Sequence, residues 1–145
     1  MKKISVLAML ALVLVFELVF VGCSSGPDES PEMTAVYVVK RADMDAGNYY
    51  NYVTTIAANE RFMLRWIGKN PYEDLVKGAM TIKRGAEVIN ARDLPFDSPI
   101  TKSGGFLFNT GTYTLPAGTY TIEVYVVDAK GIKSNTKTVT LTVTQ

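Results

Sequence analysis

Residues 119–127 read Thr-Tyr-Thr-Ile-Glu-Val-Tyr-Val-Val, and this stretch decides the fold. Its predicted inward positions are Tyr120, Ile122, Val124 and Val126, and its predicted outward positions are Thr119, Thr121, Glu123 and Tyr125. Side chains of a strand point alternately to its two faces, so this pattern predicts a β-strand that is buried on one face. Residues 136–144 repeat the pattern, with Val139, Leu141 and Val143 inward and threonines outward.

Further strand-like segments lie upstream of this stretch. They cover residues 35–39, 61–67, 76–83, 87–90, 106–108 and 112–115. In the second segment Phe62, Leu64 and Trp66 share one predicted face, and Arg61 and Arg65 share the outer one. We expect these two arginines to face solvent, and binding of an anionic partner is the less favoured alternative. In the third, Val76, Met80 and Ile82 fall together. Short strands with turns between them predict an all-β fold, a single antiparallel β-sandwich of about seven strands over residues 34–145.

A family resemblance is carried by Leu115 to Gly131, which reads Leu-Pro-Ala-Gly-Thr-Tyr-Thr-Ile-Glu-Val-Tyr-Val-Val-Asp-Ala-Lys-Gly. This segment resembles the region around strand F of bacterial Ig-like, PKD-like and fibronectin type III-like domains. The resemblance implies an Ig-like sandwich, with Tyr120 forming a tyrosine corner and Trp66 in the core. Residues 42–59 depart from the family pattern and are interpreted as an insertion. The fold alone implies no particular activity.

The N-terminus has the parts of a secretory signal. Lys2 and Lys3 precede a largely apolar run, which ends at Gly22 and Cys23. Residues 19–23, Val-Phe-Val-Gly-Cys, resemble the lipobox of bacterial lipoproteins. This resemblance implies a signal peptide at residues 1–22 that is cleaved before Cys23, and lipidation of Cys23. Residues 23–33 are then the lipidated cysteine and a flexible tether, because small, acidic and proline residues predominate there.

The alternative for the N-terminal run is an uncleaved transmembrane helix. Glu17 disfavours that alternative, because a carboxylate in hydrocarbon costs a few kcal/mol. Cys23 is the only cysteine, so no disulfide forms within the chain. By the same lipoprotein resemblance, Ser24 permits delivery to an outer membrane. The expected location is therefore the cell envelope, lipid-anchored, at the outer membrane or cell surface if the organism has an outer membrane.

Composition excludes several classes of function. The chain has no histidine, the commonest general base and metal ligand, and its single thiol is expected to be acylated. The whole chain has 15 basic and 14 acidic side chains. Removal of Lys2, Lys3 and Glu17 with the predicted signal peptide leaves a net charge of zero. A neutral surface without a basic cluster does not indicate a nucleic-acid binder. We therefore predict a protein that is not an enzyme and has no catalytic residue, metal or cofactor.

Weaker constellations point elsewhere. Residues 43–48 resemble half of a calcium loop, but Thr54 stands where a bidentate glutamate is expected, which favours a polar turn. Acid pairs at Glu73/Asp74 and Asp93/Asp97 suit a small hydrolase in principle. Both pairs lie in proline-containing sequence that is typical of loops.

The candidate binding site comprises Tyr49, Tyr50 and Tyr52, flanked by asparagines. Tyrosine offers a rigid apolar face with a polar tip, which suits protein interfaces and sugar stacking alike. Alternatively, Tyr50 or Tyr52 belongs to an extra strand or covers the open end of the core. The predicted function is a lipid-anchored, non-enzymatic binding module for a protein or glycan. The alternative is a structural or assembly lipoprotein that packs in a larger envelope complex, and the oligomeric state stays open.

Overall fold

The structure, a computed structural model, describes residues 30–70, 74–100 and 104–145. These residues contain nine strands and one helical turn. The strands are β1 (Glu32–Lys40), β2 (Tyr52–Val53), β3 (Thr55–Ala57), β4 (Phe62–Asn70), β5 (Leu75–Arg84), β6 (Glu87–Ile100), β7 (Gly104–Asn109), β8 (Gly118–Asp128) and β9 (Lys137–Thr144). The helix, α1 (Arg41–Asp45), lies between β1 and β2.

The strands form two sheets that pack face to face. Sheet I has the order β2-β1-β4-β7, and sheet II has the order β3-β9-β8-β5-β6. Neighbouring strands run antiparallel, with the exception of the parallel pair of β3 and β9. The predicted all-β sandwich is confirmed. It differs in detail, with nine strands where about seven were expected and with one parallel pair.

The core lies between the sheets and is built by the alternation seen in the sequence. In β8 the predicted inward residues Tyr120, Ile122, Val124 and Val126 are all buried. Trp66 of β4 is fully buried, as its assignment to the core required. The predicted tyrosine corner is also present, because the Tyr120 hydroxyl donates a hydrogen bond of 2.8 Å to the backbone oxygen of Pro116.

Residues 42–59 carry the chain from sheet I to sheet II, so they are part of the sandwich and not an insertion outside it. After α1 the chain turns back, and β2 pairs with β1 through Val38 and Val53. It then enters β3, where Ile56 is paired with Val143 and is buried in the core. These two short strands raise the strand number. The segment at residues 112–115, predicted to be extended, forms no strand, and Tyr113 makes only an isolated bridge to Phe62.

The domain begins before Thr34, which corrects the predicted boundary of the tether. β1 starts at Glu32, and Met33 is fully buried. The side chain of Asn135 accepts a hydrogen bond from the Met33 N–H at 2.7 Å and donates one to the Met33 carbonyl at 3.0 Å. Composition does not reveal this start, because a residue 102 positions away supplies the partners.

A register shift in β5 changes which of its side chains face the core. The shift lies between Leu75 and Lys77 in the pairing with both β6 and β8. Leu75 is therefore fully buried, whereas Val76 is 37% exposed. The expectation that Val76 shares a face with Met80 and Ile82 is wrong, because an irregularity of one residue reverses the direction of the side chain.

Candidate functional site

The loop between α1 and β2 is held in an ordered turn. Gly47 has a φ of +80°, a left-handed conformation that glycine adopts without strain. The backbone N–H of Asn48 donates to the carbonyl of Asp43 at 2.8 Å, and the Asn51 amide donates to the Asp43 carboxylate at 2.9 Å. The chain therefore reverses direction and presents Tyr49 and Tyr50 beside sheet I.

The three predicted site tyrosines lie close together but differ in exposure. Tyr50 is 74% exposed and Tyr49 is 46% exposed. Tyr52 is half-buried in β2, where its ring stacks on Tyr37 with centroids 3.9 Å apart and an interplanar angle of 5°. The rings of Tyr50 and Tyr52 pack edge to face, with centroids 6.4 Å apart. Tyr52 thus belongs to an extra strand, an alternative that the sequence left open.

Arg65 holds the two exposed tyrosines in place, a role that sequence reasoning missed. Its Nη1 donates a hydrogen bond of 2.6 Å to the carbonyl of Tyr49, and its guanidinium lies 4.6 Å from the centre of the Tyr50 ring. Arg65 is on the outer face of β4, as predicted, but it is only 5% exposed, so the expectation of a solvated side chain is wrong. Residues 46–51, which we name the tyrosine loop, cover it, and no local pattern around Arg65 signals that cover.

The outer face of sheet I is largely apolar. Cross-strand pairing places Tyr37 beside Arg65, and Ile67 between Ala35 and Leu107. Leu107 is 47% exposed, and Ile67 is half-buried. We name this surface the tyrosine face and define it as Tyr37, Tyr49, Tyr50, Tyr52, Arg65, Ile67 and Leu107.

The outer face of sheet II has a different character. Its strands present threonines and two ion pairs, Lys77 with Asp93 at 2.6 Å and Lys83 with Glu123 at 2.8 Å. The hydrogen bond and the charge of Asp93 raise the pKa of Lys77. Such a face is well solvated, which makes the tyrosine face the more suitable of the two for burial against a partner.

The other candidate constellations do not assemble into sites in the described part of the chain. The carboxylate of Asp43 binds Asn51, and that of Asp45 binds Arg41 at 2.8 Å. Between residues 30 and 145, outside the gaps at 71–73 and 101–103, no three acidic, histidine or cysteine side chains cluster as metal ligands do.

The acid pairs also have different surroundings from those predicted. Asp93 does not lie in a loop. It lies within β6, where its carboxylate accepts a hydrogen bond from Lys77. The side chain of Asp97 and the whole of Glu73 lie outside the described residues. The predicted signal peptide, Cys23 and Ser24 lie outside them as well. Within the residues that are described, no helix has the length and apolar character needed to cross a membrane.

Comparison with known proteins identifies the fold. No family model and no curated protein matches the sequence. The structure is similar to the PKD domain of an M14-like peptidase from the archaeon Thermoplasmatales SCGC AB-540-F20, with a TM-score of 0.51 and 14% identity over 81% of this chain and 98% of that one. The similarity places the chain among Ig-like β-sandwiches and shows the fold alone.

A weaker likeness is to the CARDB domain of a Pyrococcus furiosus protein, solved in complex with di-metal ions. Its TM-score is 0.42, with 11% identity over 79% of this chain and 90% of that one.

Proposed function

We propose that this chain is a lipid-anchored protein of the bacterial cell envelope and that its sandwich domain is a non-enzymatic module that binds a protein or glycan through the tyrosine face. One observation carries the proposal. Tyr50 exposes 74% of its surface, yet its ring is held over the buried guanidinium of Arg65. An exposed tyrosine ring has only two rotatable side-chain bonds, so it loses little conformational entropy when it binds.

The placement of the loop supports a role in contacting partners. β1 leads from the predicted tether directly to α1 and the tyrosine loop. A nine-residue strand is about 30 Å long, so the loop begins roughly that far from the point where the tether joins. Anchoring at Cys23 leaves residues 24–31 as a spacer of at most about 29 Å. The tyrosine loop is then presented on the side of the domain away from the lipid.

A second candidate function rests on the free edge of sheet II. Among the described strands β6 pairs only with β5, and it is 14 residues long, with Val88 and Ile89 exposed by 53% and 41%. An edge strand of this kind is able to pair with a strand of another chain. This feature favours the alternative of an assembly lipoprotein that packs within an envelope complex.

Site-specific photo-crosslinking in cells tests the proposal. A photoreactive phenylalanine derivative, which keeps an aromatic ring, replaces Tyr50 in one variant and Val88 in a second, matched variant on the β6 edge. We expect a crosslinked protein or glycan with the probe at position 50 and none at position 88. Crosslinking only at position 88 would favour assembly through β6, and no adduct at either position would reject the binding module.

A further inference from the structure

Arg65 is a buried cation that has no carboxylate partner among the residues that the structure describes. The ion pairs of the described residues involve Lys40, Arg41, Lys69, Lys77 and Lys83, and none involves Arg65. Its Nε is buried and has no hydrogen-bond partner in the described part of the chain. A guanidinium has five N–H donors, and the acceptor seen for them within the described residues is the carbonyl of Tyr49. Buried charges are normally paired, so this arrangement is unusual.

The surroundings of Arg65 provide one removable cover. Tyr37 and Asn109 flank it in the neighbouring strands. Tyr50 is 74% exposed, its ring lies above the guanidinium, and the other ring contact seen for it among the described residues is with Tyr52. Rotation of the Tyr50 side chain would move this ring off the guanidinium without moving a strand.

We propose that Arg65 is the anchor for a carboxylate side chain of a protein partner, which reaches it when the Tyr50 ring swings aside. This inference rests on the proposed function, because it names the chemistry that the tyrosine face recognises. A carboxylate matches the planar guanidinium fork and forms short, charge-assisted hydrogen bonds with it. Exclusion of water by the surrounding apolar side chains strengthens such a bond.

The neighbours of Arg65 favour a protein over an acidic glycan. Ile67 follows it on the outer face of β4, and Leu107 is paired with Ile67 across β7. The tyrosine rings of the face suit a sugar and a protein alike, so the aliphatic side chains make the difference. They offer no flat ring on which a sugar stacks, whereas apolar side chains of a protein partner bury them well. An aspartate or glutamate next to an apolar residue is the expected complementary feature.

The test observes the Arg65 Nε–H by ¹H–¹⁵N NMR in the full-length protein in detergent micelles. Sodium acetate is titrated against sodium chloride at equal ionic strength. We expect a saturable shift of this resonance with acetate and not with chloride. Arg92 is the internal control, since its guanidinium also lies over a tyrosine ring, 4.9 Å from the centre of Tyr113, and already donates to the Tyr113 hydroxyl at 2.6 Å.

Tyr50→Ala should change acetate binding at Arg65 and capture of the cellular partner in opposite directions. Removal of the cover should raise the apparent acetate affinity at Arg65 at least threefold, whereas Tyr50→Phe, which keeps the ring, should leave it unchanged. Loss of Tyr50 should at the same time weaken capture of the cellular partner. Absence of an acetate-specific shift in both wild type and Tyr50→Ala would overturn the carboxylate site, while crosslinking at position 50 would still uphold the binding module.

A second arm of the experiment separates the two sources of a carboxylate. A peptide of alternating leucine and glutamate is compared with an oligogalacturonate of equal charge. Tighter binding of the peptide, abolished by Arg65→Met, supports a protein partner. Tighter binding of the uronate overturns that assignment in favour of an acidic glycan.

Discussion

The indole ring of Trp66 lies directly against Gly78 across the core and joins sheet I to sheet II at a point where only glycine fits. A Cβ atom at position 78 would overlap the Cζ3 and Cη2 atoms of the ring. Both residues are buried, and Trp66 is the largest fully buried side chain. The separation of the two sheets at this point is therefore set by the thickness of one aromatic ring against a bare backbone.

Gly78→Ala should lower the free energy of unfolding by about 1–3 kcal/mol, because an added methyl group overpacks this contact. Urea denaturation measures the change. Gly111→Ala is the matched control, since no atom lies within 4 Å of a Cβ built there. The control should leave stability unchanged or slightly increased. Equal losses in the two variants would contradict the close approach of Trp66.

Tyr120→Phe should lower the free energy of unfolding by about 1 kcal/mol. The substitution removes one hydroxyl and its hydrogen bond to Pro116, and it keeps the buried ring. Tyr125→Phe, on the outer face of sheet II, should have an effect close to zero. Thermal unfolding of the two variants side by side measures the difference, and a loss that is the same in both would remove the corner from the account of stability.

The tyrosine face separates into exposed and packed members. Tyr49→Ser combined with Tyr50→Ser should cost no more than about 1 kcal/mol, the scale of an exposed cation–π contact, and should abolish partner capture. Tyr52→Ser should cost more, because its stacking on Tyr37 contributes about 0.5–1.5 kcal/mol beyond burial. A large fall in melting temperature for the double variant would show that Tyr49 and Tyr50 are packing residues, and the site would be withdrawn.

Cys23→Ser should abolish incorporation of labelled fatty acid and release the protein from the membrane fraction. The reason is chemical, since this is the only thiol in the chain and it follows Gly22 at the end of the apolar run. Ser24→Ala serves as the control and should label normally. Undiminished labelling of the Cys23 variant would rule out lipidation at this position.

Glu60 should make stability depend on pH in the acid range. The backbone N–H of Ala57 donates to its carboxylate at 2.9 Å, and Lys40 lies 3.0 Å from it. These contacts, in that order, hold the pKa of Glu60 below its ordinary value of 4.5. A lowered pKa in the folded state means that the stabilisation is present above pH 4.5 and is lost as the pH falls through the folded pKa.

Glu60→Gln should therefore be less stable than the wild type near pH 7, and the two proteins should converge on acidification. Denaturation curves between pH 7 and strongly acidic pH measure the difference. Glu87→Gln, at the exposed start of β6, is the control. A difference between wild type and Glu60→Gln that stays constant across this range would show that the carboxylate charge is not what stabilises the turn.

The candidate site was only partly accessible to sequence reasoning. Tyrosine is recognisable by type, so Tyr49, Tyr50 and Tyr52 could be selected before their positions were known. The role of Arg65 could not be predicted in this way, because it depends on a loop that lies 15 residues upstream and folds over β4. The direction of Arg65 follows from the alternation of β4, whereas its burial follows from the pairing of β2 with β1.

The sequence by itself determined the all-β class and the inward faces of β4, β8 and β9, because alternation and turn residues act over a few neighbouring positions. The tyrosine corner was implied by the family resemblance of residues 115–131. The tertiary structure alone decided the bulge at Val76, the start of the domain at Glu32, and the passage of residues 42–59 between the sheets. Each of these depends on hydrogen bonds between strands far apart in the chain. The register of such pairs is decided by the packing of the whole core and not by any local pattern.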